Sequence, residues 1–246
     1  ISHRIEAQNL QYLKFGTSSA QTLTLSFWVK STKTGIYCVS ISKQDNTRYD
    51  YVAEYSISSS DTWEKKTITI APDSNIKAAG GAINNDNGTG FNLKFVLAAG
   101  SNRQGTNETW NAGTAEGTSN QVNFLDSTSN DFYLTGVQLE AGTTASDFEF
   151  LPVDVNKNRC FRYFEKNSGD AYLQFFLRAQ TNESTLCSQN IYFKQEMRAN
   201  PTFTFTSSNY TPNNVDPAKK YIMVYGTTTS SGSTARINDY EADAEL

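Results

Sequence analysis

Residues 23–30, LTLSFWVK, alternate in their apolar character. Leu23, Leu25, Phe27 and Val29 fall on one side of an extended chain and Trp28 on the other. A period of two places successive side chains on opposite faces, so this stretch must sit in a sheet with one face turned to a core. The pattern recurs. Strands are predicted over residues 9–15 (NLQYLKF), 35–42 (GIYCVSIS), 51–57 (YVAEYSI), 63–70 (WEKKTITI), 91–98 (FNLKFVLA) and 122–125 (VNFL). Residues 132–140, FYLTGVQLE, read as a buried closing strand. Two long polar loops interrupt the series, over 71–90 and 101–121. The helical period is absent throughout. About eight short strands with turn signals between them predict an all-β fold, a jelly-roll β-sandwich.

Composition supports many short strands. Hydrophobic residues make up 37% of 246, below the usual ~45–50%, while 15 Phe and 13 Tyr supply the core. Past Pro152 the pattern changes. A short helix is expected near residues 156–165, capped by Asp154 or Asn156, with Cys160, Phe161 and Phe164 on one side. Strands follow at 171–180, 186–196, 220–226 and 235–241, with an extended segment FTFTSS at 203–208 and a loop at NYTPNNVDP, residues 209–217. The expected organisation is a β-sandwich over residues 1–150, which the resemblance described below makes carbohydrate-binding-like, and a smaller C-terminal β domain over 151–246. The opening, ISHRIEAQNL, has neither a start methionine nor a signal-peptide pattern. It reads as the interior of a longer polypeptide, or as a processed or truncated start.

Several function classes lose support here. The net charge is -4 with no Lys/Arg block, against nucleic acid as a partner. No run of 18 apolar residues exists, against membrane insertion. The single His, His3, leaves no Ser/His/Asp set, and without a CxxC it argues against zinc. Cys38 reads as a buried thiol; Cys160 and Cys187 read as free thiols or as a pair. Asp147, Glu149, Asp154 and Glu165 cluster in sequence, but nothing aims two of them at one cleft, so they read as structural acids at a hinge. No enzyme is expected.

Trp110 lies in the 101–121 loop beside polar residues. It reads either as a core residue or, with Arg103, Asn107 and Glu108, as a platform that stacks on a sugar ring. Trp28 and Trp63 read as caps on the core or as contacts between subunits. Asn84, Asn85, Asp86 and Asn87 before Gly88 form an oxygen-rich turn. It is expected to be metal-free, with Asp86 as the candidate ligand should Ca2+ be the one cofactor.

Taken in order, residues 23–31, 62–70, 95–101, 132–142, 147–166, 196–205 and 241–246 form a set of motifs, among them LTLSFWVKS, FYLTGVQLEAG, DFEFLPVDVNKNRCFRYFEK and EMRANPTFTF. The ordered set resembles the C-terminal halves of virion appendage proteins of tailed phages, marine and cyanophage-like ones especially. The run Cys160-Phe161-Arg162-Tyr163 departs from the Cys-Gln-Arg-Tyr of that family. The resemblance implies a non-enzymatic fibre or spike subunit with a jelly roll, on the exterior of the virion. It further implies a homo-oligomer, a trimer, that contacts other virion proteins and adheres to host cell-surface polysaccharide. Capsid decoration, a head fibre, or a glycan-binding module of a larger enzyme are the alternatives.

Overall fold

The computed structural model describes residues 1–167, 186–228 and 236–245. The strand expected at 171–180 and the side chain of Cys187 lie outside what is described. The chain divides into two compact units, Ile1–Glu149 and Phe150–Glu245. The fold is mostly β, in several antiparallel sheets with few helices.

The first unit holds eight strands: β1 (Ser2–Glu6), β2 (Leu23–Ser31), β3 (Gly35–Lys43), β4 (Tyr49–Ile57), β5 (Glu64–Ile70), β6 (Thr89–Val96), β7 (Thr109–Ala112) and β8 (Phe132–Ala141). They form a five-stranded sheet, β1-β6-β3-β4-β7, and a three-stranded sheet, β5-β2-β8. One hydrophobic core joins them. The alternation of β2 sets its inner side: Leu23, Leu25, Phe27 and Val29 are fully buried. Phe27 meets Tyr55 and Phe95 edge-on, with centroids 5.1 and 5.0 Å apart. Each such side chain contributes roughly 1.5–3 kcal/mol by burial.

Three local expectations are corrected. Residues 9–15 do not form a strand. Ala7–Leu13 is a 3-10 helix in which Ala7, Leu10 and Leu13 are buried. Their spacing of three matches the three residues per turn of that helix, and a short apolar run cannot separate it from a strand. Residues 122–125 end instead in a 3-10 turn, Phe124–Asp126, where the Asn123 side chain accepts the Leu125 N–H. β8 is not buried, but exposed at Tyr133, Thr135 and Val137. Its register against β2 shifts between Ser26 and Trp28. Gly136, at φ +58°, forms this bulge. The extra residue lets Leu134 and Leu139 both face the core although they are five apart.

The 71–90 loop is ordered by internal partners. Asp73 caps the short helix α1 (Ser74–Lys77), accepting from the Asn75 and Ile76 amides. Lys43 is completely buried beneath the loop. Its ammonium donates to the backbone carbonyls of Asp45, Gly80 (2.8 Å) and Ala82 (3.1 Å). Burial pulls its pKa down to about 8, opposed by the Asp45 carboxylate.

In the second unit, α2 (Val153–Phe161) begins directly after Pro152 and ends before Phe164, which starts β9 (Phe164–Asn167). The helix thus starts earlier than expected, and Cys160 is an exposed free thiol. Among its described residues β10 (Leu186–Tyr192), β11 (Thr202–Ser208), β12 (Tyr210–Pro217), β13 (Tyr221–Thr228) and β14 (Arg236–Asp243) follow. These described strands pair as two three-stranded sheets, β10-β13-β12 and β11-β14-β9. Ile191, Tyr210, Ile222, Val224, Ile237 and Tyr240 form their core. The loop expected at NYTPNNVDP is the edge strand β12. Its Pro212 falls at a register shift facing Gly226, and an edge position tolerates a residue without an N–H.

Candidate functional site

Alternation puts Trp28 and Lys30 of β2 on the outer side of the β5-β2-β8 sheet. In register, Trp28 is flanked by Lys65 of β5 and Thr135 of β8. Lys30 is paired with Tyr133. Directly opposed residues of antiparallel strands share a face, so these side chains form one surface. Trp28 is 42% exposed, Trp63 43% and Tyr133 46%.

Lys30 organises one half of this surface. Its ammonium lies 2.9 Å from the Asp61 carboxylate, 4.6 Å from the Tyr133 ring centroid and 6.0 Å from that of Trp63. Asp61 chiefly holds this ammonium's pKa up by hydrogen bonding. Trp63 and Tyr133 stand edge-on at 6.5 Å. The turn that carries Asp61 and Trp63 is tied down on both sides. The Asp61 N–H donates to Ser31 O at 2.8 Å, the Ser60 hydroxyl to Thr32 O at 2.7 Å, and the Ser58 and Ser59 amides to Glu64 at 2.8 Å each. Lys66 and those two amides keep the Glu64 carboxyl below the usual carboxylate range.

The other half is shaped by the bulge. A Cβ added to Gly136 would stand 3.3 Å from Trp28 Cδ1 and 3.9 Å from Phe148 Cδ2, so both rings lie against bare backbone. Phe148 itself is 40% exposed. The segment carrying it returns across β8. Gln138 donates to the Ser146 hydroxyl (2.9 Å), Glu149 N–H donates to Gln138, and Glu140 accepts the Ser146 N–H and O–H at 2.6 and 2.7 Å. Those two Ser146 donors lower the Glu140 pKa. Thr24 and Ser26, the other outward residues of β2, stand opposite Glu140 and Gln138 in register and are buried, and the Thr24 hydroxyl donates to Gly142 O at 2.8 Å. The outer face is therefore covered at one end and open, aromatic and cationic at the other. Replacing Gly136 by Ala should cost about 1–2 kcal/mol, because φ is left-handed there. Urea unfolding checks this, and a shift in the emission of Trp28 should accompany it.

Of the two readings of Trp110, the structure gives the core one, and no platform forms there. Trp110 lies on β7, is 2% exposed, and packs against Phe15 and Tyr51 with centroids 5.8 and 5.2 Å away. Its indole N–H donates to Ala71 O at 3.0 Å. Of its expected companions, Asn107 accepts the Glu54 N–H at 2.9 Å, and Glu108, at φ +54°, donates its N–H to Val52 O. Both pin the loop to the β4 edge. Arg103 ends a 3-10 turn, is exposed, and accepts backbone N–H bonds from Glu116 and Gly117. Trp28 and Trp63 are the tryptophans that reach solvent. Asp86 accepts the Gly88 N–H at 2.8 Å, an internal turn bond. Among the described residues no group of three or more His, Cys, Asp or Glu could hold a metal ion. Glu165 is buried and spent on the Tyr240 hydroxyl (2.6 Å) and the Lys194 N–H (3.0 Å). No described helix is long and apolar enough to cross a membrane.

No family model matches the chain, and no curated protein and no solved structure matches it either.

Proposed function

We propose that this chain is a non-enzymatic virion structural protein of a tailed phage, a fibre or spike subunit on the virion exterior. Its first unit, read as a jelly roll, holds host-surface polysaccharide on the Trp28, Trp63 and Tyr133 face. One observation carries the adhesive part of this reading. Three large aromatic side chains are left in solvent, Trp28 and Tyr133 set by the ladders of the sheet and Trp63 on the tied-down turn that leads into β5. Exposed aromatic patches of this kind mark interaction surfaces. Their apolar faces suit the C–H faces of sugar rings, while Lys30, Asp61 and Thr135 supply polar partners at the rim. The ordered motifs support the phage assignment. A trimer would present three faces at once and turn weak single contacts into firm attachment.

The test is adhesion of purified chain to host cells, together with antibody labelling of virions. Each stacking contact contributes about 0.5–1.5 kcal/mol, so Trp28→Ala and Trp63→Ala should each weaken attachment up to about tenfold. The double variant should abolish it while melting like the parent. Attachment unchanged in the double variant, or labelling confined to the host cell interior, would overturn the reading.

A further inference from the structure

The two aromatic stations of the open face differ in charge. At the Trp63–Tyr133 station the cation is neutralised in place, since Lys30 is paired with Asp61 at 2.9 Å. At the Trp28 station it is not. Lys65 stands directly opposite Trp28 in register and is exposed. Among the described residues no hydrogen bond or ion pair holds its ammonium, and Glu140 acts on it only through space. Its neighbour Lys66 is turned the other way and is bound to Glu64 at 2.7 Å. Two residues along β2 separate the stations, a pleat repeat of about 7 Å, so one sugar ring does not fill both.

The geometry points to an acidic polysaccharide as the ligand of this face, with a ring stacked on Trp28 and its carboxylate on Lys65, and a neighbouring, uncharged part of the chain lying over Trp63 and Tyr133. The inference rests on the adhesive reading above and narrows it. An exposed carboxylate–ammonium pair beside an aromatic ring is partly shielded from water on one side, which favours a charged partner over a hydroxyl. A chain of like charges is also the partner for which a single unpaired cation, repeated in each copy of an oligomer, gives binding that responds to salt.

The test uses the full chain on immobilised polysaccharides, with alginate and polygalacturonate as acidic probes and methyl-esterified polygalacturonate and dextran as neutral ones. Binding should be confined to acidic members and weaken as salt rises. Lys65→Gln should lower it about fivefold, the effect of one exposed ion pair, and flatten the salt dependence. Lys65→Arg should retain it, and Trp28→Ala should weaken it up to about tenfold; both lysine substitutions are at an exposed site and should leave the melting temperature unchanged. Binding to neutral probes that equals or exceeds binding to acidic ones, and that falls in Trp28→Ala, overturns the acidic ligand while leaving the adhesive face intact. Absence of binding to every probe, with Trp28→Ala changing only the solution mass, overturns both and makes the face a contact between copies of the chain.

Discussion

Replacing Trp110 by Ala should destabilise the first unit by about 3–5 kcal/mol, the cost of emptying a large aromatic site in a packed core. The ring fills space between Phe15 and Tyr51 and satisfies the Ala71 carbonyl, so both packing and a buried hydrogen bond are lost. Trp110→Phe should recover most of the packing and leave the carbonyl unpaired, a residual loss of about 1–3 kcal/mol. Trp28→Ala, at an exposed site, should stay within about 0.5 kcal/mol of the parent. Tryptophan emission is a clean probe of these changes. The chain has three tryptophans, and all lie in the first unit. A Trp110→Ala protein as stable as the parent, or one whose adhesion fell while its stability held, would return Trp110 to the surface role first expected of it.

Lys43→Met should cost about 3 kcal/mol, because three backbone carbonyls lose their shared donor in a buried place. The loop they belong to should loosen first, which hydrogen exchange at residues 79–84 would detect. The pH response has a definite sign. The Lys43 pKa is lowered to about 8 in the folded chain, from an ordinary 10.5. Between these values the unfolded chain binds more protons than the folded one, so this group makes stability rise with pH across that window. Below about pH 8 the folded chain bears the full cost of the buried charge. Tyr51, whose pKa burial raises to about 12, acts in the opposite sense above pH 10, since there the folded chain keeps the proton longer. Lys43→Met should therefore flatten the rise between pH 8 and 9.5. A parent chain whose stability is level across that interval would contradict the lowered value.

Much of the fold could be read in the sequence where a long run alternates against one core. β2, β4 and β6 fall close to their expected places because their apolar residues recur every second position over seven residues, and β3 and β5 because shorter alternating runs, Tyr37-Val39-Ile41 and Ile68-Ile70, do the same. The misses have distinct physical causes. Ala7, Leu10 and Leu13 recur every third residue, a period that a seven-residue window blurs into alternation. β12 carries two prolines, which ordinarily argue against a strand, and an edge position removes that objection. The bulge at Gly136 is a change of phase that no pattern of period two can show. The site was legible only in its kind. Exposed tryptophan was anticipated, but loop position made Trp110 the candidate for it, with a core place as the other reading, and strand position made Trp28 and Trp63 read as core caps or subunit contacts. Burial follows from which face of a strand a side chain occupies, and the outer face of a short sheet is uncovered wherever no segment returns across it. That return, through Ser146 to Glu149, depends on side-chain hydrogen bonds that alternation does not encode.

The prolines of β12 also bear on whether its sheet can extend from one molecule into another. Pro212 faces Gly226 and Pro217 faces Ile222 on a strand that, among the described residues, lies at the edge of its sheet. A Cβ on Gly226 would stand 2.1 Å from Thr211 O, so the two backbones are pressed together there and the edge is kinked as well as short of donors. Many copies held side by side raise the local concentration of open strand edges, the condition under which sheets extend from one molecule into the next. Two missing N–H groups and an uneven line make such a margin a poor template for a strand of another molecule.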